Sequence, residues 1–159
     1  MDYVPNAKHP DIAQALQAIP EEGLDYLQIR IGQAASRLTP SDDKIIFSKG
    51  GGEKGKSLFF TLCKISLGEF YLAVSPKLLG GSDFDHTTEK MPFKGARMAV
   101  LEELPDKGGL PMAKLKSLAG TTAITARAIR KDNVTWVATH TLFVTLNNIP
   151  NVADTDHGI

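Results

Sequence analysis

One stretch, residues 44–62, constrains the fold more than any other part of the chain. It joins a short apolar segment at residues 45–47, a glycine-rich loop and an apolar run that predicts a helix. Gly50 to Ser57 satisfies the G-x-x-x-x-G-K-[ST] pattern of a phosphate-binding loop. A strand, this loop and a helix in that order predict an α/β P-loop NTPase fold.

The chemistry of such a loop explains its residues. Backbone amides must approach phosphate oxygens, which side chains would obstruct, and the start of the next helix adds a favourable field for an anion. Lys56 is predicted to contact the β- and γ-phosphates, and Ser57 to place its hydroxyl on Mg2+, so ATP and Mg2+ are the expected cofactors. The predicted ATP-binding residues are Gly50, Gly51, Gly52, Glu53, Lys54, Gly55, Lys56 and Ser57. The alternative is a flexible surface loop that matches the pattern by chance.

Length and composition narrow the class of protein. The 159 residues suit one domain with a real core, and a formal net charge of zero provides no global basic field for nucleic acid. A single cysteine, Cys63, excludes an internal disulfide and fits a reducing cytoplasm. No signal pattern and no apolar run of about 18 residues is present, so neither secretion nor a membrane partner is expected.

The order of periodic segments predicts the architecture. Residues 1–40 are predicted to form a small N-terminal helical collar and residues 41–159 the ATPase core. Within the core, strands alternate with helices, which favours a mainly parallel sheet flanked by helices, with the ligand at the carboxyl ends of the strands. The predicted helices cover residues 11–19, 21–38, 56–67 and 112–118, and the predicted strands residues 45–47, 70–75, 97–101 and 141–146. Residues 124–129 and 134–137 predict an inserted β-hairpin.

Two adjacent acids, Glu102 and Glu103, end the predicted strand at residues 97–101. An NTPase needs one acid for Mg2+ and a second to orient or deprotonate the attacking water. Glu102 is predicted to face the metal, and Glu103 the water. The alternative is an acidic pair on a solvated loop.

Asn147 follows the strand at residues 141–146. A neutral amide there could contact the γ-phosphate and the lytic water. The alternative is an asparagine that caps its own turn.

A local positive patch lies in the second half of this neutral chain. Lys116 is on the predicted helix, and Arg130 and Lys131 fall at the predicted hairpin tip, where long basic side chains could reach a phosphate backbone. The alternative is a solvated charged face. Trp136 is predicted to belong to the core, and the four histidines lack metal-ligand spacing.

Taken together, these stretches resemble the superfamily-three helicases, specifically the primase-associated helicase domains of phages, plasmids and large DNA viruses. The resemblance is carried in order by residues 24–32, the loop at 50–57, residues 95–105, residues 115–127, Thr139 to Phe143 with Asn147 and Pro150, and residues 154–158. It implies an AAA+-like core, a hexameric ring and ATP-driven translocation along single-stranded DNA during replication, in a bacterial host cell or a virus-infected cell. The resemblance also implies that Asn147 senses the γ-phosphate and that Arg130 and Lys131 are pore-loop contacts with DNA.

Three departures from the family pattern affect the expected activity. Glu53 and Lys54 stand where the family has a small residue and an asparagine, and the Glu53 carboxylate would disfavour a nearby phosphate. Thr122 stands where the family has an acid. The sequence ends at Ile159, before the family's arginine finger, so weak or absent hydrolysis by the isolated chain is expected.

Two other functions are compatible with these features. The chain could be a non-enzymatic module that co-assembles with a full-length helicase or binds DNA as a regulator. It could also be a small P-loop phosphotransferase, for which residues 114–131 would have to supply a basic lid.

Overall fold

A parallel sheet organises the chain. The computed structural model describes residues 8–17, 19–36, 39–40, 42–51, 55–79, 88–102, 110, 112–119 and 123–148. The helices are α1 (Pro10–Leu16), α2 (Glu21–Ala35), α3 (Lys56–Leu67) and α4 (Met112–Leu118). The strands are β1 (Ile46–Lys49), β2 (Tyr71–Val74), β3 (Met98–Leu101), β4 (Ala123–Ala126), β5 (Val134–Val137) and β6 (Thr141–Leu146). Short 3-10 turns cover Gly68–Phe70, Pro76–Leu79 and Met91–Phe93.

The main sheet has the strand order β1-β6-β3-β2, and every neighbouring pair is parallel. The chain passes from β1 to the opposite edge at β2 and returns through β3, and β6 then fills the gap beside β1. All residues of β3 and β6 are buried, as expected for strands that are covered on both faces. The predicted parallel sheet flanked by helices is therefore confirmed.

Helices α2 and α3 cover one face of the sheet, which we call the α2/α3 face. Ala34 of α2, with Phe60 and Cys63 of α3, packs on Ile46, Met98, Val100 and Phe143 of the strands. Arg30 of α2 donates two hydrogen bonds to Asp42, of 2.9 and 2.8 Å, just before β1. This ion pair ties α2 to the segment that leads into the sheet.

Helix α4 and the β4–β5 hairpin belong to the opposite face, which we call the α4 face. Its cluster contains Leu115 and Leu118 of α4, Ile124 of the hairpin, and Leu142 and Val144 of β6. The fully buried His140 ring lies 4.9 Å from the Phe93 ring, between centroids, and its Nε2 is 2.6 Å from the carbonyl oxygen of Leu118. The hydrogen bond joins the start of β6 to the end of α4.

Several predicted boundaries are confirmed. Helices α3 and α4 and strand β6 begin and end where the sequence places them. Gly68 ends α3 with a φ of 54°, a conformation that favours glycine.

Other boundaries were wrong by a few residues. Helix α1 covers Pro10–Leu16 rather than residues 11–19, and the His9 imidazole accepts a capping hydrogen bond from the backbone amide of Asp11. Helix α2 ends at Ala35 rather than near residue 38. Strand β1 covers Ile46–Lys49 rather than residues 45–47, because β1 pairs with the last four residues of β6.

The β4–β5 hairpin is antiparallel, as predicted, but its first strand is shorter. Ile124 and Ala126 of β4 are buried, whereas Ala123 and Thr125 are exposed, and the alternation stops there. Ile129 is 77% exposed, and Arg130 next to it has a φ of 58°. Residues 127–133 therefore form a wide turn rather than an extension of the strand.

Candidate functional site

The carboxyl ends of β1 and β6 lie side by side and form the candidate site. Gly50 follows β1 and Asn147 follows β6. The backbone amide of Gly50 donates to the carbonyl oxygen of Leu146 at 3.1 Å, so the parallel pairing continues one residue beyond β1. Two polar segments far apart in the sequence are thus brought together at one edge of the sheet, where parallel α/β sheets bind ligands.

The Lys56 ammonium group is held directly over these strand ends. It donates to the backbone carbonyl of Gly50, to that of Leu146 at 2.9 Å, and to Oδ1 of Asn147 at 3.2 Å. Three acceptors match the three donors of an ammonium group. The lysine of the sequence motif and the asparagine after β6 therefore belong to one site.

Gly55 gives α3 an amino terminus that no side chain caps. Its φ of 77° is disfavoured for residues with a Cβ, and its carbonyl accepts from the amide of Phe59 at 3.0 Å. The first amides of an α-helix lack partners within the helix and attract anions. Ser57 is exposed in this first turn, so its hydroxyl is accessible beside the lysine.

Glu102 directly follows β3, the strand next to β6, so it lies at the same edge of the sheet as Asn147. Its side chain is exposed and accepts a hydrogen bond of 3.4 Å from the Tyr71 hydroxyl. Burial raises the pKa of Tyr71, and the neighbouring Glu102 carboxylate raises it further. Tyr71 therefore stays a neutral donor that orients this acid.

Apart from Glu102, which follows β3 as described above, the predicted site residues divide into three groups. Gly50, Lys56 and Asn147 are in contact, with Gly51, Gly55 and Ser57 on the adjoining backbone. Lys116, Arg130 and Lys131 are exposed, on α4 and on the hairpin turn. Outside the described residues lie Gly52, Glu53, Lys54, Glu103 and Thr122.

A cavity of about 350 Å³ opens next to Lys56, and the sequence did not predict it. It lies between the start of α2, strand β1 and the start of α3. The residues that line it are Ile19, Pro20, Gly23, Tyr26, Leu27, Ile45, Ile46, Phe47, Ser48, Lys49, Gly55, Lys56, Phe59, Phe60 and Phe143. Its walls come from three segments that are brought together only by tertiary packing, so no local pattern indicates it.

Other kinds of site find no support in the described part of the chain. No group of three or more His, Cys, Asp or Glu residues is placed to hold a metal among those residues. Burial raises the pKa of the Cys63 thiol to about 11, which keeps this sulfur protonated as a small core residue. None of the described helices is long and apolar enough to cross a membrane.

Comparisons with known proteins support a helicase-related chain. No family model matches the sequence. The chain is 27% identical over 123 residues to a protein of Acanthamoeba polyphaga mimivirus described as "Putative helicase L207/L206". That alignment covers 76% of this chain but 13% of the viral protein, so the chain corresponds to a small part of that relative.

The structure resembles a solved one over nearly the whole chain. The A-form apo structure of the NrS-1 C-terminal region matches with a TM-score of 0.63 at 16% sequence identity. The match covers 96% of this chain and 36% of the NrS-1 chain. At this identity the likeness shows a shared α/β fold, and the sequence similarity to the viral protein adds the connection to helicases.

Proposed function

We propose that this chain is the ATP-binding core of a superfamily-three-like DNA helicase that acts in the replication of a phage or another mobile element. The observation that carries the proposal is the contact of Lys56 with Asn147 over the ends of β1 and β6. A lysine from the phosphate-loop pattern and an amide from a neighbouring strand end are the groups expected around a γ-phosphate. The similarity to the mimivirus protein supports the helicase assignment.

Each site residue has a distinct role in this proposal. Phosphate oxygens replace one or more of the three oxygen acceptors of Lys56, and its charge offsets the negative charge that develops during transfer. The amides that begin α3 bind the same phosphates. Asn147, released from Lys56, donates its amide N–H to the γ-phosphate, and Glu103 orients the attacking water.

The side chains at this edge fit Mg2+ by chemical type. Mg2+ prefers oxygen ligands and is usually held by one or two carboxylates together with phosphates and waters. Ser57 supplies a hydroxyl and Glu102 a carboxylate, which Tyr71 orients. When bound, Mg2+ would neutralise charge on the β- and γ-phosphates.

The remaining elements suit contacts with DNA and with other subunits. Lys116, Arg130 and Lys131 are exposed cations that can neutralise phosphates of single-stranded DNA. The proposed assembly is a hexameric ring of this chain or a mixed complex with a full-length helicase. The alignment with the viral relative covers 13% of that protein, so the proposal concerns the ATP-binding core and not the activity of the whole relative.

Replacing Lys56 by alanine tests the nucleotide site. The variant loses charge-assisted hydrogen bonds that contribute roughly 1.5–3 kcal/mol each, so the affinity for Mg-ATP in isothermal titration calorimetry should fall by about 100-fold or more. Lys64→Ala, in the last turn of the same helix, is the matched control and should bind as the wild type does. Unchanged ATP affinity in Lys56→Ala, with the fold intact by circular dichroism, would refute the assignment.

A further inference from the structure

Tyr71 and Glu102 contact each other from opposite ends of one strand pair. Tyr71 is the first residue of β2 and pairs with Met98, whereas Glu102 directly follows β3 and lies four residues beyond Met98. The two backbone positions are therefore about 13 Å apart along the sheet, at roughly 3.3 Å per residue. The hydrogen bond of 3.4 Å between the hydroxyl and the carboxylate thus requires both side chains to extend along the sheet towards each other.

Both side chains belong to the α2/α3 face. Met98 packs in the cluster of that face, and the alternation of side chains along a strand places Glu102 on the same side of the sheet. Tyr71 is half-buried against this cluster, which includes Phe60 and Cys63 of α3. The Tyr71 ring is thus anchored against α3, and its hydroxyl is directed at Glu102.

Helix α3 also carries the other oxygen ligand that we propose for Mg2+. Ser57 is the second residue of this helix, and sites built on regular elements are positioned more precisely than sites on loops. Tyr71 relates Glu102 to the same helix, because its ring packs against α3. A hydroxyl and a carboxylate that are distant in the sequence are therefore positioned from one apolar cluster.

A fixed relation between these two groups matters for the identity of the cation. Mg2+ requires near-ideal octahedral coordination, whereas Ca2+ accepts more oxygen ligands at longer and more variable distances. Hydrogen-bond partners of a ligating carboxylate restrict its orientation, and their loss typically weakens metal binding about 10- to 100-fold. A donor that restricts Glu102 therefore favours Mg2+ over the larger cation.

We propose that Tyr71 is a positioning residue for the divalent cation: its hydroxyl fixes the Glu102 carboxylate relative to Ser57 and thereby sets a preference for Mg2+ over Ca2+. The inference rests on the proposed function, because it takes Glu102 and Ser57 to be ligands of the cation that accompanies the phosphates. Tyr71 lies outside every stretch that carries the resemblance to helicases, so no motif indicates this role.

The first test isolates the contribution of the cation. Calorimetry gives the ATP affinity with Mg2+, with Ca2+ and with EDTA, for the wild type and for Tyr71→Phe, which keeps the ring and removes the hydroxyl. Because a hydrogen bond of 3.4 Å is long, we expect the affinity for Mg-ATP to fall by about 10-fold, at the lower end of the range for such partners. The affinity for Ca-ATP should fall by less, and metal-free ATP should bind equally to both chains.

A double-mutant cycle shows whether Tyr71 acts through Glu102. Glu102→Gln removes the charge of the proposed ligand and should weaken Mg-ATP binding more than Tyr71→Phe does. In the double variant, Tyr71→Phe should add no further loss, because the carboxylate that it positions is gone. Glu69→Gln is the matched control and should bind Mg-ATP as the wild type does. It removes the same charge from an exposed residue in the turn before β2, at the opposite end of the sheet.

The outcomes distinguish this inference from the proposed function. Unchanged Mg-ATP affinity in Tyr71→Phe, equal losses with Mg2+ and with EDTA, or additive losses in the double variant would each overturn the inference. A wild-type chain that binds ATP equally with and without a divalent cation also overturns it, while the phosphate site stands. Lys56→Ala tests that site separately, since it should weaken ATP binding in EDTA as well. A wild-type chain that binds ATP under none of these conditions overturns both proposals.

Discussion

On the α2/α3 face of the sheet, two helices cover a small apolar cluster and leave a cavity at its margin, whereas on the α4 face a larger cluster extends from β2 to the hairpin. Among the described residues, each face has a polar link to a covering helix. Arg30 and Asp42 join α2 to the segment before β1, and His140 joins β6 to the end of α4.

The two faces of the sheet therefore differ in what they carry. Among the described residues, the α4 face carries the larger buried cluster, which joins the sheet, α4 and the hairpin. On the α2/α3 face, the cavity beside Lys56 leaves part of the apolar surface unpacked, and a ligand could bind there. The proposed binding site therefore lies where the core is incomplete.

The largest expected effect compares one phenylalanine from each face. Phe93→Ala on the α4 face and Phe60→Ala on the α2/α3 face both remove a buried ring, a change that costs about 3–5 kcal/mol. We expect Phe93→Ala to lie near the upper end, because the Phe93 ring is 1% exposed and packs within the larger of the two buried clusters. Phe60→Ala should lie near the lower end, because Phe60 borders the cavity and Phe59, 5.2 Å away between ring centroids, can shift towards the gap.

Urea unfolding of both variants gives the two free energies of unfolding. A larger loss for Phe60→Ala than for Phe93→Ala would show that the α2/α3 face is the more tightly packed one, and the comparison of the faces would fail.

A smaller effect is expected when the polar link of the α2/α3 face is broken. Asp42→Asn leaves the Arg30 side chain, which is 6% exposed, without its carboxylate. Loss of a fully buried partner costs about 3–5 kcal/mol, but Asp42 is 30% exposed, so we expect about 1–2 kcal/mol at pH 7. Lys44→Gln is the control, since Lys44 is largely exposed and its Nζ lies 3.9 Å from Asp42, and its effect should be within about 0.5 kcal/mol.

The pH dependence of the Asp42→Asn effect gives a further check. The hydrogen bonds from Arg30 lower the pKa of Asp42. Their contribution to stability is therefore complete above the usual carboxyl pKa of about 4, and it is lost as the pH falls through the lower pKa of the folded state. The difference between Asp42→Asn and the wild type in urea unfolding should shrink at acidic pH. A difference that stays constant down to the lowest pH at which the chain folds would contradict the ion pair.

The smallest effect concerns the polar link of the α4 face. Burial lowers the pKa of His140, against a smaller opposite effect of its hydrogen bond to Leu118. The folded state therefore binds a proton less readily than the unfolded state, and stability falls as the pH drops below the usual histidine pKa of about 6.5. Between pH 7.5 and pH 5.5 we expect a loss of up to about 1 kcal/mol from this residue.

His140→Gln is the matching variant, because glutamine keeps an N–H donor for the Leu118 carbonyl and does not titrate. Unfolding midpoints in urea should depend less on pH in this range for His140→Gln than for the wild type. Equal dependence in the two chains would show that His140 is not the group responsible.

Much of the sheet could be predicted from local patterns. The apolar run at residues 98–101 and the largely apolar segment at residues 141–146 indicate buried parallel strands. The phosphate-loop pattern indicates Lys56. The position of Asn147 after a strand allows it to meet Lys56 at the carboxyl ends, although the residues alone left a turn-capping asparagine as the alternative. The errors occur where tertiary contacts override local preference. The register with β6 sets the bounds of β1, and the burial pattern ends β4 at Ala126.

The cavity and the two polar links could not be predicted in the same way. In the sequence, Tyr26 and Arg30 have the pattern of ordinary residues of an amphipathic helix. Their contacts exist only in the fold, where α2 packs on the sheet and the Arg30 guanidinium donates to Asp42 and lies over the Tyr26 ring. The partner of His140 is a backbone carbonyl 22 residues earlier, and any residue type can supply a carbonyl. Such features depend on how distant segments meet, which a pattern of residue types does not encode.

The position of β6 has a consequence for how the chain acquires its ligand site. The last described strand inserts between β1 and β3, so the contact of Lys56 with Leu146 spans 90 residues. Pairings of such high contact order form late and slowly. A nascent chain on the ribosome would have to emerge beyond this strand before Lys56 could reach its acceptors on Leu146 and Asn147. Affinity at the proposed nucleotide site should therefore appear only once β6 has paired with β1 and β3.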